Sequence, residues 1–208
     1  MPLITNADGS KFGKTEAGAV WLDTARTSVY RFYQFWIRAD DRDVIRYLKY
    51  FTFLSRAEIE GLEVAHAARP EAREAHAALA RAVTDLVHGQ QARLEAEAAS
   101  GVLFGGDPSQ LKPEVLEELS GEVPAFDIPK DRWNAGIHPI DLLVLSGLSS
   151  SKGQARKDVE GGGVYINNRP VARDAFQAPL PGDTLLHGRF ALVRKGKRNY
   201  ALGRIVGP

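Results

Sequence analysis

The spacing of the apolar residues changes along this chain of 208 residues, and that change limits the fold more than any other feature. Between residues 27 and 100, large apolar side chains such as Tyr30, Tyr33 and Ile37 recur at helical spacing. After residue 160 short apolar runs alternate with tight-turn signals such as Asn167-Asn168, which is typical of hairpins. The sequence therefore predicts an α+β protein. An α-helical bundle domain is followed by a small α+β domain of two helices and a hairpin-rich sheet.

Residues that favour N-terminal capping predict where some of the helices begin. Thr27 or Ser28 can cap the first helix, and Ser55-Arg56-Ala57-Glu58 has the pattern of a capping box. One long alanine-rich helix is expected over residues 75–94, with two shorter helices over 140–148 and 152–160. Strands are expected over four further ranges: 164–167, 169–171, 185–193 and 200–206.

A stretch rich in glycine, proline and acidic residues separates the two patterns. Its composition, including Gly105-Gly106-Asp107-Pro108, predicts a linker with one short helix. We therefore expect four segments. These are residues 1–26, a helical domain over 27–104, the linker over 105–133 and an α+β domain over 134–208.

The composition excludes several classes of protein. No apolar run approaches the roughly 20 residues needed to span a bilayer, so no membrane partner is expected. Cysteine is absent, which excludes disulfides and cysteine-bound metals and is compatible with the cytoplasmic location that we expect. The five histidines show no metal-ligand spacing, so no metal site is predicted.

The charge is distributed unevenly, although the whole chain carries only +1. Residues 134–208 contain 11 basic and 5 acidic residues, whereas the rest contains 16 and 21. Such a basic module points to a polyanionic partner, and a solvated charged surface is the alternative interpretation. The candidate RNA-binding residues fall in two runs: Lys152, Arg156 and Lys157, and Arg194, Lys195, Lys197 and Arg198.

Near the start, two lysines lie close enough in sequence to meet one polyphosphate. Lys11 and Lys14 flank Gly13 in Lys11-Phe12-Gly13-Lys14-Thr15, and Gly9 precedes them. The simplest alternative to a polyphosphate-binding loop is a polar surface turn. A P-loop is the other, but Asp8 stands where that motif needs glycine, and no buried strand precedes it.

Several segments together resemble bacterial tyrosyl-tRNA synthetases. They are Lys11-Phe12-Gly13-Lys14-Thr15-Glu16, Val20-Trp21-Leu22-Asp23, Tyr30-Arg31-Phe32-Tyr33-Gln34-Phe35-Trp36 and Arg194-Lys195-Gly196-Lys197. The resemblance covers essentially the whole chain. It implies that the first segment is the "KMSKS" signature loop of class I synthetases and that residues 1–26 are a remnant of the catalytic domain. Residues 27–104 would be an anticodon-binding domain, and 134–208 an RNA-binding module also found in a ribosomal protein and pseudouridine synthases.

The resemblance also implies a function. The intact enzyme ligates tyrosine to tRNA-Tyr with ATP and Mg²⁺ as a homodimer. Lys11 and Lys14 would stabilise the leaving pyrophosphate as catalytic residues, and Thr15 would contact the same phosphates. The basic residues of the tail would contact the long variable arm of tRNA-Tyr.

This chain lacks the His-x-Gly-His element and the nucleotide-binding fold of such enzymes. We therefore expect a C-terminal portion, excised or truncated, that is monomeric, neither activates tyrosine nor binds ATP tightly by itself, and still binds tRNA-Tyr. A standalone RNA-binding protein derived from a synthetase is the alternative.

Overall fold

The computed structural model describes residues 4–9, 12, 14, 15 and 18–207, with the backbone alone for 14, 15 and 18. The chain divides into two compact units, Met1–Glu97 (unit one) and Ala98–Pro208 (unit two). Unit one is helical apart from a two-stranded ribbon, and unit two combines helices with a five-stranded sheet, so the α+β prediction is confirmed. Within the described residues, no helix is both long and apolar enough to cross a bilayer.

Unit one begins with an antiparallel ribbon and continues as helices. The ribbon consists of β1 (Lys14–Thr15) and β2 (Gly18–Ala19). The helices are α1 (Val29–Ile37), α2 (Val44–Phe51), α3 (Arg56–Ala68), α4 (Glu74–His88) and α5 (Gln90–Val102). The division between the two units falls inside α5.

Two helices start where the capping residues predicted. The Ser28 hydroxyl accepts a hydrogen bond from the Arg31 amide (3.2 Å) at the start of α1. At the start of α3, Ser55 and Glu58 form the reciprocal capping box, with the Ser55 amide donating to the Glu58 carboxylate at 2.7 Å.

The prediction of one long helix over residues 75–94 is wrong. Two helices occupy this range, because Gly89 adopts a φ of +83°, a left-handed value that glycine accepts without steric cost and that ends α4. The apolar face predicted for the long helix is buried only in the first part of α4. Leu79 and Val83 are buried, whereas Leu86 and Leu94 are exposed.

Most of the aromatic residues near α1 and α2 form the core of unit one. Phe32, Tyr33 and Trp36 on α1 pack with Tyr47 on α2 and with the apolar face of α4. The rings of Tyr50 and Phe53 are exposed instead.

Unit two contains four helices and one sheet among its described residues. The elements in chain order are α6 (Pro113–Leu119), β3 (Ala125–Pro129), α7 (Lys130–Asn134), α8 (Pro139–Leu145), α9 (Lys152–Glu160), β4 (Val164–Ile166), β5 (Arg169–Pro170), β6 (Phe190–Lys195) and β7 (Asn199–Val206). The strand order is β3-β7-β6-β4-β5. β3 pairs with β7 in parallel, and the other neighbours are antiparallel.

The range 105–133 differs from the predicted linker. It contains the expected short helix α6, but Leu116 and Leu119 of that helix are fully buried. It also supplies β3, an edge strand of the sheet, through pairs such as Ala125 with Leu202. This range is therefore built into unit two, because its apolar residues and its strand complete the fold there.

Both faces of the sheet are covered. On one face, Ala191 and Val193 of β6 pack with Leu142 and Leu143 of α8 and with apolar residues of α9. The alternate residues Phe190 and Leu192 point to the opposite face, where they are fully buried as well. The chain before α6 is tied to the turn between β4 and β5 by Asn168 Nδ2, which donates to the carbonyls of Val102 (2.8 Å) and Gly106 (2.7 Å).

Candidate functional site

Helix α9 presents the first predicted basic run. Ser151 caps it by accepting a hydrogen bond from the Gln154 amide at 3.2 Å, and Ala155 and Val159 form its buried face. Lys157 lies two residues beyond Ala155, a rotation of about 200°, so its side chain points away from the core. The buried face thus leaves Lys152, Arg156 and Lys157 exposed.

Two members of that run are engaged within the protein. The Lys152 ammonium lies 2.7 Å from a carboxylate oxygen of Asp141, and Arg156 donates to Glu160 at 2.9 Å. The Arg156 guanidinium also lies over the Phe176 ring, 4.5 Å from its centroid. These partners oppose part of the positive charge that the sequence assigned to the helix.

The second run lies at the hairpin formed by β6 and β7. Arg194 is half-buried, and its guanidinium stacks on Tyr165 at 3.6 Å from the ring centroid, with Tyr200 on its other neighbouring strand. Since Arg and Tyr pair by cation–π attraction here, Arg194 is held to the sheet surface. The next residue, Lys195, points to the opposite face and lies 3.3 Å from Asp158.

Asp158 connects the two runs. It lies on α9 and accepts hydrogen bonds from Ser149 (2.6 Å), Gln154 (2.9 Å) and Lys195 of β6. Burial opposes ionisation of this carboxyl, but the three hydrogen bonds outweigh it and lower the pKa of Asp158. A backbone bond from the Gly196 amide to the Gly163 carbonyl (2.7 Å) adds a second link between the hairpin and the segment after α9.

Three of the seven predicted residues remain exposed without an ion pair among the described residues. Lys197 and Arg198 lie in the turn between β6 and β7, and Lys157 lies on the outer face of α9. Exposed cations without a local acidic partner are suited to neutralise phosphates. The structure thus separates the predicted set into three unpaired cations and four held by the fold.

Arg173 is a further exposed cation of unit two that was missed in the sequence. Its guanidinium lies beside Gly162, just after α9, and it is exposed with no ion pair to the described residues. In the sequence, only the excess of basic over acidic residues in the tail indicated a contribution from Arg173. By contrast, Arg189 and Arg204 lie 3.5 and 3.9 Å from Glu117, which the predicted linker supplies, so they add less positive charge to the surface than the count suggested.

The signature loop is only partly described. Lys11 lies outside the described residues, and the side chains of Lys14 and Thr15 do as well. The backbone of Lys14 and Thr15 forms β1, where Lys14 pairs with Ala19 and Thr15 with Gly18. Elsewhere in the described part, no three His, Cys, Asp or Glu side chains are grouped so as to hold a metal ion.

Two protein families match the chain. The family described as "tRNA synthetases class I (W and Y)" matches residues 1–105. The one described as "Tyrosine--tRNA ligase SYY-like C-terminal domain" matches residues 115–203.

Several curated proteins are also similar to this chain. The chain is 49% identical over 206 residues to a tyrosine--tRNA ligase of Roseiflexus castenholzii, covering 99% of this chain and 48% of that protein. It is 47% identical over 209 residues to the one of Bacillus caldotenax, covering 98% and 47%. It is 47% identical over 207 residues to the one of Opitutus terrae, covering 99% and 48%. The chain spans about half the length of the curated relatives that it matches.

Proposed function

Because this chain belongs to the class I tRNA synthetases of the W and Y family, we propose that it is the C-terminal part of a ligase that joins tyrosine to tRNA-Tyr with ATP. One observation supports this most: the similarity to tyrosine--tRNA ligases runs through 99% of the chain, across the helical unit and the α+β unit alike. The same continuity disfavours a standalone RNA-binding protein.

The tail would position tRNA through its phosphates. Lys157, Lys197 and Arg198 would make the main contacts, because their charges are unpaired among the described residues, and Arg173, exposed beside Gly162, would add a further one. Lys152, Arg156, Arg194 and Lys195 would contribute less, since each is held by an acidic or aromatic partner. Such contacts fix a backbone more than they read bases, so the target is a shaped RNA such as the long variable arm of tRNA-Tyr.

The signature loop would act on ATP. As tyrosine attacks the α-phosphate, negative charge develops on the leaving pyrophosphate. Lys11 and Lys14 would stabilise that charge in the transition state more than in the ground state, and Thr15 would donate its hydroxyl to the same phosphates. ATP and Mg²⁺ would bind with the catalytic domain of the longer enzyme, and this chain alone would neither activate tyrosine nor retain ATP tightly.

The remaining assignments follow from the same proposal. Residues 1–26 would belong to the catalytic domain and 27–104 to an anticodon-binding domain, with the tRNA-positioning domain following. The longer enzyme would be a cytoplasmic homodimer, and this chain alone a monomer.

The first experiment measures binding of the chain to tRNA-Tyr and to a tRNA with a short variable arm, over a series of salt concentrations. The double variant Lys197→Ala/Arg198→Ala should weaken binding and make the slope of log K against log[salt] shallower by about 1.4–1.8, which is roughly 0.7–0.9 per lost phosphate contact. The matched control is Arg189→Ala/Arg204→Ala, which removes the same charge from residues already paired with Glu117.

Each outcome bears on the proposal. Preference for tRNA-Tyr, lost in the first variant and kept in the control, supports a tRNA-positioning surface. Equal loss in both variants would mean that net charge alone drives binding, and equal affinity for both tRNAs would contradict recognition of the variable arm.

A further inference from the structure

Phe12, the residue between the two signature lysines, is packed into the core of the helical unit. Its ring stacks on Phe51 of α2 with centroids 4.9 Å apart, and its centroid lies 5.0 Å from that of Tyr47. Two rings of α1 complete the contact, Phe35 at 5.8 Å and Trp36 at 5.7 Å. An aromatic side chain held by four others on two helices has little freedom to move independently of them.

The chain just before the loop is tied to the same helix. The buried carboxylate of Asp43, the residue just before α2, accepts a hydrogen bond from the Ala7 amide at 2.8 Å. Arg46 of α2 bonds both Asp43 and the Thr5 carbonyl. The Tyr47 hydroxyl bonds Asn6 Oδ1 at 2.7 Å, so one turn of α2 holds residues 5–7.

Only a short length of chain separates these contacts from the two lysines. Consecutive Cα atoms are 3.8 Å apart, so the Cα atom of Lys11 lies one such step from that of Phe12 and the Cα atom of Lys14 no more than about 7.6 Å away. On the far side, the pairing of β1 with β2 restrains the backbone of Lys14. The contacts of Phe12 with α2 therefore act on the chain within two residues of both lysines.

We propose that Phe12 is a positioning residue for the phosphate step, and that α2 sets the placement of Lys11 and Lys14 by holding Phe12 and the segment before it. The inference rests on the proposed function, since it assigns those lysines to the pyrophosphate. It makes adenylate formation depend on the packing of α1 and α2 around Phe12.

The test uses ATP–pyrophosphate exchange in a full-length tyrosine--tRNA ligase that contains this sequence. Phe12→Ala should lower kcat about 10- to 100-fold, with KM for tyrosine unchanged, because misplacement of a catalytic group by about 1 Å costs rate in that range. Phe12→Leu, which still fills the pocket, should recover most of the rate. Tyr47→Phe, which keeps the ring and removes the hydroxyl that bonds Asn6, should give a smaller loss of kcat. It also provides a test if Phe12→Ala does not fold.

Leu79→Ala is the matched control for stability, since Leu79 is a fully buried residue of the same core. It should lower the melting temperature as Phe12→Ala does, with kcat unchanged. Equal kcat losses in the two variants, or full activity in Phe12→Ala, would overturn the positioning role.

Lys11→Ala and Lys14→Ala separate this inference from the proposed function. If neither lowers kcat, the assignment of the loop to pyrophosphate fails. If both lower kcat and Phe12→Ala does not, only the positioning role fails.

A second experiment uses this chain alone and measures the rate of cleavage by trypsin. Trypsin cleaves after lysine, so the rate reports on the segment that contains Lys11 and Lys14. Cleavage after Lys11 and Lys14 should be at least about 10-fold faster in Phe12→Ala than in Leu79→Ala, since it reports local release of the segment. Equal rates in the two variants would show that Phe12 does not hold it.

Discussion

Asn167 gives the sharpest test of how unit two is held together. It begins the two-residue turn between β4 and β5, with φ of +51°, followed by Asn168 with φ of +60°. Its Oδ1 accepts a hydrogen bond from the Leu192 amide at 2.9 Å, and its Nδ2 donates to the Thr184 carbonyl at 2.6 Å. One buried side chain thus joins the turn, β6 and the segment before β6.

Asn167→Ala should destabilise unit two by about 2–5 kcal/mol. Leaving the buried Leu192 amide unpaired costs roughly 1–3 kcal/mol, and losing the bond to the half-buried Thr184 carbonyl about 0.5–1.5 kcal/mol, because water replaces it in part. Alanine in a left-handed conformation adds up to about 1 kcal/mol relative to asparagine, which tolerates that region better.

Asn167→Gly separates the two causes, because glycine removes the side-chain bonds without the backbone strain. It should be about 1 kcal/mol more stable than Asn167→Ala. Denaturant unfolding gives the free energies, and hydrogen exchange of the Leu192 amide reports the lost bond directly. The reasoning is refuted if Asn167→Ala costs less than about 1 kcal/mol, or if exchange of the Leu192 amide does not change.

Three further predictions concern other parts of the molecule. Burial, and next the charge of Arg73, lower the pKa of His76 below its usual value, so the unfolded chain binds a proton that the folded chain does not. Stability should therefore fall as the pH drops below about 6.5, and melting curves between pH 5 and 8 should show a smaller fall in His76→Gln. Gly203→Ala would place a Cβ 2.6 Å from Ile128 Cδ1 and should cost about 1–3 kcal/mol in chemical denaturation. The same change at Gly153, an open site in α9, should be neutral or stabilising. Asp158→Asn frees Lys195 and should tighten tRNA binding several-fold at 0.1 M salt in the titration described above, and unchanged or weaker binding would contradict the ion pair.

The sequence predicted features that depend on neighbouring residues. Capping by Ser28 and Ser55 followed from local patterns, and the two helices and the hairpins of the tail followed from periodicity. The break at Gly89 was missed, because the apolar spacing continues through it and only the backbone conformation marks the end of α4.

Features that depend on distant residues were not predictable in this way. β3 is only five residues long, ends in a proline and is made a strand by pairing with β7, far along the chain. The pairings of Lys152 with Asp141 and of Lys195 with Asp158 are tertiary contacts as well. From the sequence of the tail, all seven basic residues were therefore equivalent candidates, whereas only three of them are exposed and unpaired among the described residues of the structure. The role of Phe12 was overlooked for the same reason, since its partners lie on α1 and α2.

The parallel pairing of β3 with β7 has a consequence for how unit two forms. Ala125 meets Leu202 only when almost the whole unit has left the ribosome, so the sheet cannot close during most of its synthesis. Contacts between residues so far apart carry a large loop-closure entropy and slow folding. We therefore expect the helical unit to fold first during translation and unit two to fold last. A fragment that starts at residue 134 would lack β3 and α6, and it would be left with an unpaired edge of β7 that is prone to aggregate.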